Sequence, residues 1–281
     1  MRNFKKWQLL TFLLANAVTF NACSNSNAEN KQSNVNNTVQ QKTEASQQAS
    51  QKSTSKVQSE LDKAKKAGKA VFIVVTGTGT TDTDKAAEVA KSANGIYKNA
   101  AIMQMNRDDE ANAQLVSQWR LAGAPLPLIL VVSPKGYLTG GFILSEATAQ
   151  NIAELVPSPK LDEVYESVNN GKSVFLVISK KSYTDRVQIL ENCKSAASQL
   201  PKKASIIEID LADTKEADFI KKLNPKDIPN TSTVVVLNAS GQVTGSFDGS
   251  AETTALVLAA NKVVRSSCCG GGSSASCGPK K

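Results

Sequence analysis

Gly68-Lys69-Ala70-Val71-Phe72-Ile73-Val74-Val75 decides the fold, because it returns as Gly171-Lys172-Ser173-Val174-Phe175-Leu176-Val177-Ile178, 103 residues later. Further along, Gly136-Tyr137-Leu138-Thr139-Gly140-Gly141-Phe142 returns as Gly241-Gln242-Val243-Thr244-Gly245-Ser246-Phe247, at an offset of 105, and Met105-Asn106 maps onto Ile209-Asp210 at 104. An offset this constant across three separated blocks implies one unit of about 100 residues used twice, which fits tandem domains rather than a solenoid of short repeats.

Outward from these blocks, the order of elements can be read in each unit. In the first, Val57 to Ala67 has helical composition and leads into the apolar strand Ala70–Val75. Asp82 and Asp84 suit the start of a helix over Lys85–Ala93. A second strand spans Ala101–Asn106, and a second helix Glu110–Leu121. Leu126–Val132 and Tyr137–Ile143 flank Ser133-Pro134-Lys135-Gly136, a turn signature, and Glu146–Leu155 closes as a helix. The second unit repeats the order: helix from Leu161, strands at Val174, Ala204 and Thr233, hairpin at Gly241, and helix from Ala251. The expected class is α/β, with two domains that each have a mixed central sheet covered by helices on both faces.

This order, with Leu126-Pro127 entering the third strand, resembles the thioredoxin fold in both units. The resemblance implies a cis-proline at Pro127 beside a substrate groove; an ordinary strand-entry proline is the alternative. In the second unit Ile228-Pro229-Asn230 comes too early relative to Gly241, so Thr231 or Ser232 takes that place. A redox-active thioredoxin carries Cys-x-x-Cys after its first strand, where the helix N-terminus lowers a thiol pKa. Here the place is filled by Thr76-Gly77-Thr78-Gly79-Thr80-Thr81-Asp82-Thr83 and by Ser179-Lys180-Lys181-Ser182-Tyr183-Thr184-Asp185-Arg186. Both units thus resemble the non-catalytic domains of the protein disulfide isomerase family, which retain the fold for binding.

The chain has no histidine. That removes the commonest general base, Ser–His and Cys–His pairs, and His-ligated metals. Asp108-Asp109-Glu110 reads as a helix start. Gly77-Thr78-Gly79 lacks the third glycine of a dinucleotide fingerprint and the Gly-Lys-Ser/Thr of a P-loop, so it reads as a loop with capping aspartates. Neither unit carries a recognisable catalytic set, and an enzyme is not the expected reading. Although the net charge is +8, Arg2, Lys5, Lys6, Lys280 and Lys281 lie at the two ends and the remaining excess is scattered. No basic stripe marks a nucleic-acid partner.

Residues 1–23 read as a signal peptide. Arg2, Lys5 and Lys6 precede an apolar stretch, Trp7–Phe20, which is shorter than the roughly 20 residues a spanning helix needs. It ends at Phe20-Asn21-Ala22-Cys23, which resembles the lipobox of bacterial lipoproteins and implies lipidation of Cys23. Phe20 and Asn21 depart from the usual lipobox residues, and the alternative is secretion with cleavage after Ser26-Asn27-Ala28. The implied address is the bacterial cell envelope, with a lipid anchor as the membrane contact. With Ser24 after the cysteine, the resemblance points to the periplasmic side of the outer membrane in a Gram-negative cell; a secreted or soluble periplasmic protein is the alternative. Residues 24–55, rich in Asn, Gln, Ser and Thr, read as a disordered tether with a reach on the order of 30 Å. The two domains are expected at 56–157 and 158–265.

Five cysteines occur. Cys193 aligns with Ala90 and reads as a small core residue. Cys268, Cys269 and Cys277 fall in the Gly/Ser-rich tail 266–281. Three readings stay open for them: a soft-metal site suited to copper, a mobile dithiol, or a structural bridge with one thiol to spare. A tail without a selected role is the fourth. The leading expectation is a redox-silent binding or scaffold lipoprotein for a protein or peptide partner in the envelope, with contact at Ala124, Pro125, Leu126 and Pro127. The second is a thiol-redox or metal-handling protein acting through the tail.

Overall fold

The computed structural model describes residues 55–223, 231–249 and 251–264. The expected lipidation at Cys23, the tether, the tail cysteines and Pro229 lie outside the described residues. The first unit runs α1 (Lys56–Lys66), β1 (Ala70–Thr76), α2 (Thr83–Tyr97), β2 (Ala100–Asn106), a 3-10 turn (Glu110–Asn112), α3 (Ala113–Gln118), β3 (Leu128–Val132), β4 (Leu138–Ile143) and α4 (Ala149–Glu154). The second repeats it: α5 (Pro159–Asn169), β5 (Val174–Ser179), α6 (Arg186–Ser198), β6 (Ser205–Asp210), a 3-10 turn (Thr214–Glu216), α7 (Ala217–Leu223), β7 (Thr233–Leu237), β8 (Val243–Asp248) and α8 (Thr253–Asn261).

The repeated blocks begin with glycine for a backbone reason. Gly68 (φ +63°) and Gly171 (φ +66°) follow α1 and α5 in the left-handed region, which ends a helix at little cost only without a Cβ. The chain then enters a central strand. β1 pairs in parallel with β2, Ala70 opposite Ala100, and antiparallel with β3, Val75 opposite Leu128; β3 pairs antiparallel with β4. The sheet order is β2-β1-β3-β4, and the second sheet is β6-β5-β7-β8 with the same senses. Each hairpin carries its register shift at an equivalent place, between Val131 and Val132 and between Val236 and Leu237. Two mixed sheets of this order, each flanked by helices, make two thioredoxin-like domains.

Alternation along the buried central strands builds a core on each face. Val71, Ile73 and Val75 pack with Leu61 of α1 and Leu115 of α3, whereas Phe72 and Val74 face Ala86 and Ala90 of α2 and Ile152 of α4. In the second unit Leu176 and Ile178 join Val164 of α5 and Phe219 of α7; Phe175 and Val177 join Ile189 and Cys193 of α6 and Leu256 of α8. Phe72 and Phe175 are both fully buried, so truncation of either to alanine is expected to cost about 3–5 kcal/mol. The two units touch where the β3–β4 turn meets α5. The Lys135 N–H donates to Asp162 Oδ2 (3.0 Å), and Lys135 Nζ to Glu166 Oε2 (2.7 Å).

Three local expectations are corrected. The helix expected over Glu110–Leu121 is a 3-10 turn and the short α3, because Arg120 turns left-handed (φ 55°) and the Arg107 guanidinium takes the Leu121 and Ala124 carbonyls. The helix expected from Glu146 starts at Ala149, where Thr148 and Asn151 form a reciprocal capping box. Asp82 stands at the N-cap of α2, which begins at Thr83, but its side chain makes no cap bond. Instead it adopts φ 58° and pairs with Lys85 at 2.7 Å.

Candidate binding groove

The groove lies at the ends of β1 and β3, where the β1–α2 loop faces the segment entering β3. Leu126-Pro127 is a cis peptide. Pro127 is buried, Ala124 and Leu126 are half-buried and Pro125 is exposed. The Pro127 carbonyl accepts from the Leu144 N–H at 3.1 Å. Neither the N–H nor the carbonyl of Leu126 has a backbone or side-chain partner among the described residues. Two main-chain groups of Leu126 are therefore without a protein partner among the described residues.

Across from them the loop that replaces Cys-x-x-Cys is held shut on itself. Gly77 N–H donates to Thr80 Oγ1 (2.8 Å), Thr80 N–H to the Gly77 carbonyl (3.1 Å), and Thr78 N–H to Asp108 Oδ2 (2.6 Å). The Thr78 N–H is the main reason the Asp108 carboxyl titrates below the ordinary range, with Arg107 adding to it. Gly77 is required by close approach: a Cβ there would sit 2.8 Å from Asp108 Oδ2 and 2.9 Å from Leu126 Cδ1. The loop reading therefore needs amending, since Asp108 does not start a helix but ties the β1 loop. Asp109 alone caps, through the Ala111 N–H at 3.0 Å.

The second unit differs at the residue that matches Pro127. Thr233 opposite Asp248 matches Leu128 opposite Ile143, so Ser232 stands where Pro127 stands. Its carbonyl accepts from Gly249 N–H (2.9 Å), as that of Pro127 does from Leu144. Unlike proline, Ser232 has an N–H, which donates to Asp185 Oδ2 at 3.0 Å while its hydroxyl donates to Oδ1 at 2.7 Å. Asp185 is the counterpart of Asp82, one residue before the helix in each unit. One aspartate turns out to solvent and Lys85; the other turns in and binds a serine with no exposed surface.

Ala124, Pro125, Leu126 and Pro127 run consecutively into β3, with the Leu126 side chain against Gly77 of the β1–α2 loop. The possible metal ligands Cys268, Cys269 and Cys277 fall outside the described residues, among which no group of three His, Cys, Asp or Glu side chains is placed to hold a metal ion. Among the same residues no helix is long and apolar enough to cross a membrane. Cys193 is fully buried in α6, and burial pushes its thiol up to about 12.

Sequence reasoning missed two residues. Asp185 was visible in the quoted loop, at the Asp82 offset, but its partner was not. Glu216, only 1% exposed, accepts from Ser158 Oγ (2.6 Å) and Lys160 N–H (2.9 Å) and so caps α5. A glutamate in a polar stretch carries no sequence signal for that.

No family model matches the chain, and no curated protein matches it in sequence. Among solved structures it is similar to the first two thioredoxin domains of Saccharomyces cerevisiae Eps1p (14% identity, 72% of this chain and 96% of that one, TM-score 0.26). It is also similar to the pneumococcal exposed lipoprotein thioredoxin Etrx1 of Streptococcus pneumoniae (16% identity, 32% and 86%, TM-score 0.24). A third is the zinc-bound form of human ERp44 (9% identity, 70% and 56%, TM-score 0.30), of which the chain spans little more than half. All three are thioredoxin-fold proteins. The class of this chain, a tandem thioredoxin-fold protein without cysteine after either first strand, rests on its own topology and on the two loops.

Proposed function

We propose that this chain is an envelope-tethered binding protein that holds an extended segment of a protein partner in the groove of its first domain, without thiol chemistry there. The observation that carries the reading is the contrast between the two grooves. At Leu126 the main-chain N–H and carbonyl are unpartnered among the described residues, beside the exposed Pro125, and Pro127 offers no N–H; in the second domain Ser232, the counterpart of Pro127, gives its N–H and hydroxyl to Asp185. An extended segment lying along Leu126 gains main-chain hydrogen bonds without needing a particular sequence, as in strand addition. The Thr76–Thr83 loop supplies no thiol and no histidine, so the groove binds and releases without thiol exchange.

The test is an NMR titration of the full chain with a pool of extended, unstructured peptides. Shifts confined to Thr76–Thr80 and Gly123–Leu128, with Ser179–Asp185 and Ser232–Val234 unmoved, are expected. Shifts in neither groove, or equal shifts in both, would overturn the reading. A second reading places thiol or soft-metal chemistry in the tail. It is favoured by the buried state of Cys193, which leaves Cys268, Cys269 and Cys277 as the reactive candidates beyond Cys23. Native mass spectra after copper challenge, with a chain ending at Arg265 as control, test it.

A further inference from the structure

We infer that the second domain carries a membrane-surface contact at the end opposite its β5–α6 loop, taking the anionic headgroups of a phospholipid bilayer. This goes beyond the groove and does not depend on it. β5 and β6 are parallel, so the residues that precede them lie at one end of the sheet, where β7, antiparallel to β5, finishes. Lys172 precedes β5, and Lys202 and Lys203 precede β6; the Lys202 ammonium lies 2.9 Å from where a Cβ of Gly171 would stand. α8 ends there too. Ser173 Oγ donates to the Ala260 carbonyl (3.3 Å), and Asn238 Nδ2 to that of Lys262 (2.8 Å). Four exposed lysines therefore share one end, and none forms an ion pair among the described residues.

The segments 169–173, 199–204, 238–243 and 258–264 that build this end contain no Asp or Glu. Residues 265–281 contain no Asp or Glu either. At the corresponding end of the first domain, Lys135 of the β3–β4 turn is received by Asp162 and Glu166 of α5, the first helix of the second domain.

Lysines near helix C-termini also suit the helix dipole, but that does not account for the aliphatic side chains among them. Val263 is 77% exposed and Leu258, one turn before Lys262, is 73% exposed. Ammonium groups interleaved with protruding aliphatics are the pattern that lies on an anionic bilayer, the charges meeting headgroups and the aliphatics entering the boundary. An acidic protein would answer the lysines and leave Val263 and Leu258 unexplained.

Amide hydrogen exchange of the full chain on vesicles tests this. Phosphatidylglycerol-containing and pure phosphatidylcholine vesicles are compared, because any N-terminal anchor holds the chain on both. The expected result is added protection at 199–206 and 256–264 on the anionic vesicles only, lost in high salt. Joint Lys172→Glu, Lys202→Glu and Lys203→Glu should weaken the contact by at least roughly 100-fold, at about 5-fold for each lysine. Unchanged exchange in β5 and β7 shows that the variant is folded. No added protection, or equal protection on both vesicle types, overturns the inference. So does protection by polyglutamate without protection by vesicles, which would assign the surface to an acidic protein.

Discussion

Replacing Asp185 with alanine is expected to loosen the second domain by about 3 kcal/mol and leave the first untouched. Asp185 accepts two hydrogen bonds from Ser232, at 3.0 and 2.7 Å, and Ser232 has no exposed surface. Hydrogen bonds to a charged group contribute about 1.5–3 kcal/mol each, and a buried donor left without a partner costs about 1–3 kcal/mol. Asp185 itself is half-buried, which places the sum at the lower end of those ranges. A two-domain chain has no single unfolding free energy, so bulk denaturation is the wrong assay. Native-state exchange of the β5 and β7 amides reads the second domain alone, and opening should rise by roughly 100-fold. Ser232→Ala removes only the hydroxyl bond and should cost about 1.5 kcal/mol. A loss below about 0.5 kcal/mol in Asp185→Ala, or an equal loss in β1 and β3, would refute this account of Asp185.

Gly77→Ala puts a Cβ against Asp108 Oδ2 and Leu126 Cδ1; a cost of about 1–3 kcal/mol and displacement of the Thr78 amide resonance are expected. Peptide-induced shifts at Leu126 should weaken in the same variant. Burial is the main cause that raises the Asp162 carboxyl above its ordinary range, with hydrogen bonds from Ser133 and Lys135 opposing it. Its folded pKa therefore exceeds the unfolded one: its stabilising contribution is full below the unfolded carboxyl range and fades as pH rises through the folded pKa. Relative to Asp162→Asn, the parent should gain stability as pH falls from 7, read by native-state amide exchange of the second domain across pH with the intrinsic exchange rate divided out. A parent that loses stability relative to the variant over that interval would contradict the burial. Cys193, with its thiol pushed up to about 12, should resist alkylation at pH 8 until the second domain opens, which mass spectrometry of the modified peptide reads directly.

Much of the architecture was legible because it depends on local chemistry written twice. Glycine at 68 and 171 ends a helix, an apolar run follows as the central strand, and glycine at 136 and 241 turns a hairpin; each is a short-range requirement, and all recur in register. Cys193 was legible as core because its counterpart is Ala90, and both are fully buried. Element ends were not. α3 stops where Arg107, some ten residues earlier, captures carbonyls in the following loop, a contact that helix propensity does not contain.

The groove divides in the same way. The sequence by itself determined that neither first strand is followed by a cysteine, that no histidine serves either unit, and that a proline stands at only one of the two strand entries. Those are statements about which atoms exist. Only the tertiary structure decided what the remaining atoms do: that Asp108 ties the first loop, that Asp82 faces Lys85, and that Asp185 closes over Ser232. The two aspartates hold the same place before the same helix, and their difference is set about 45 residues away by whether the facing backbone has an N–H to donate. Serine offers one and proline does not, so one carboxylate is drawn in and the other left to solvent.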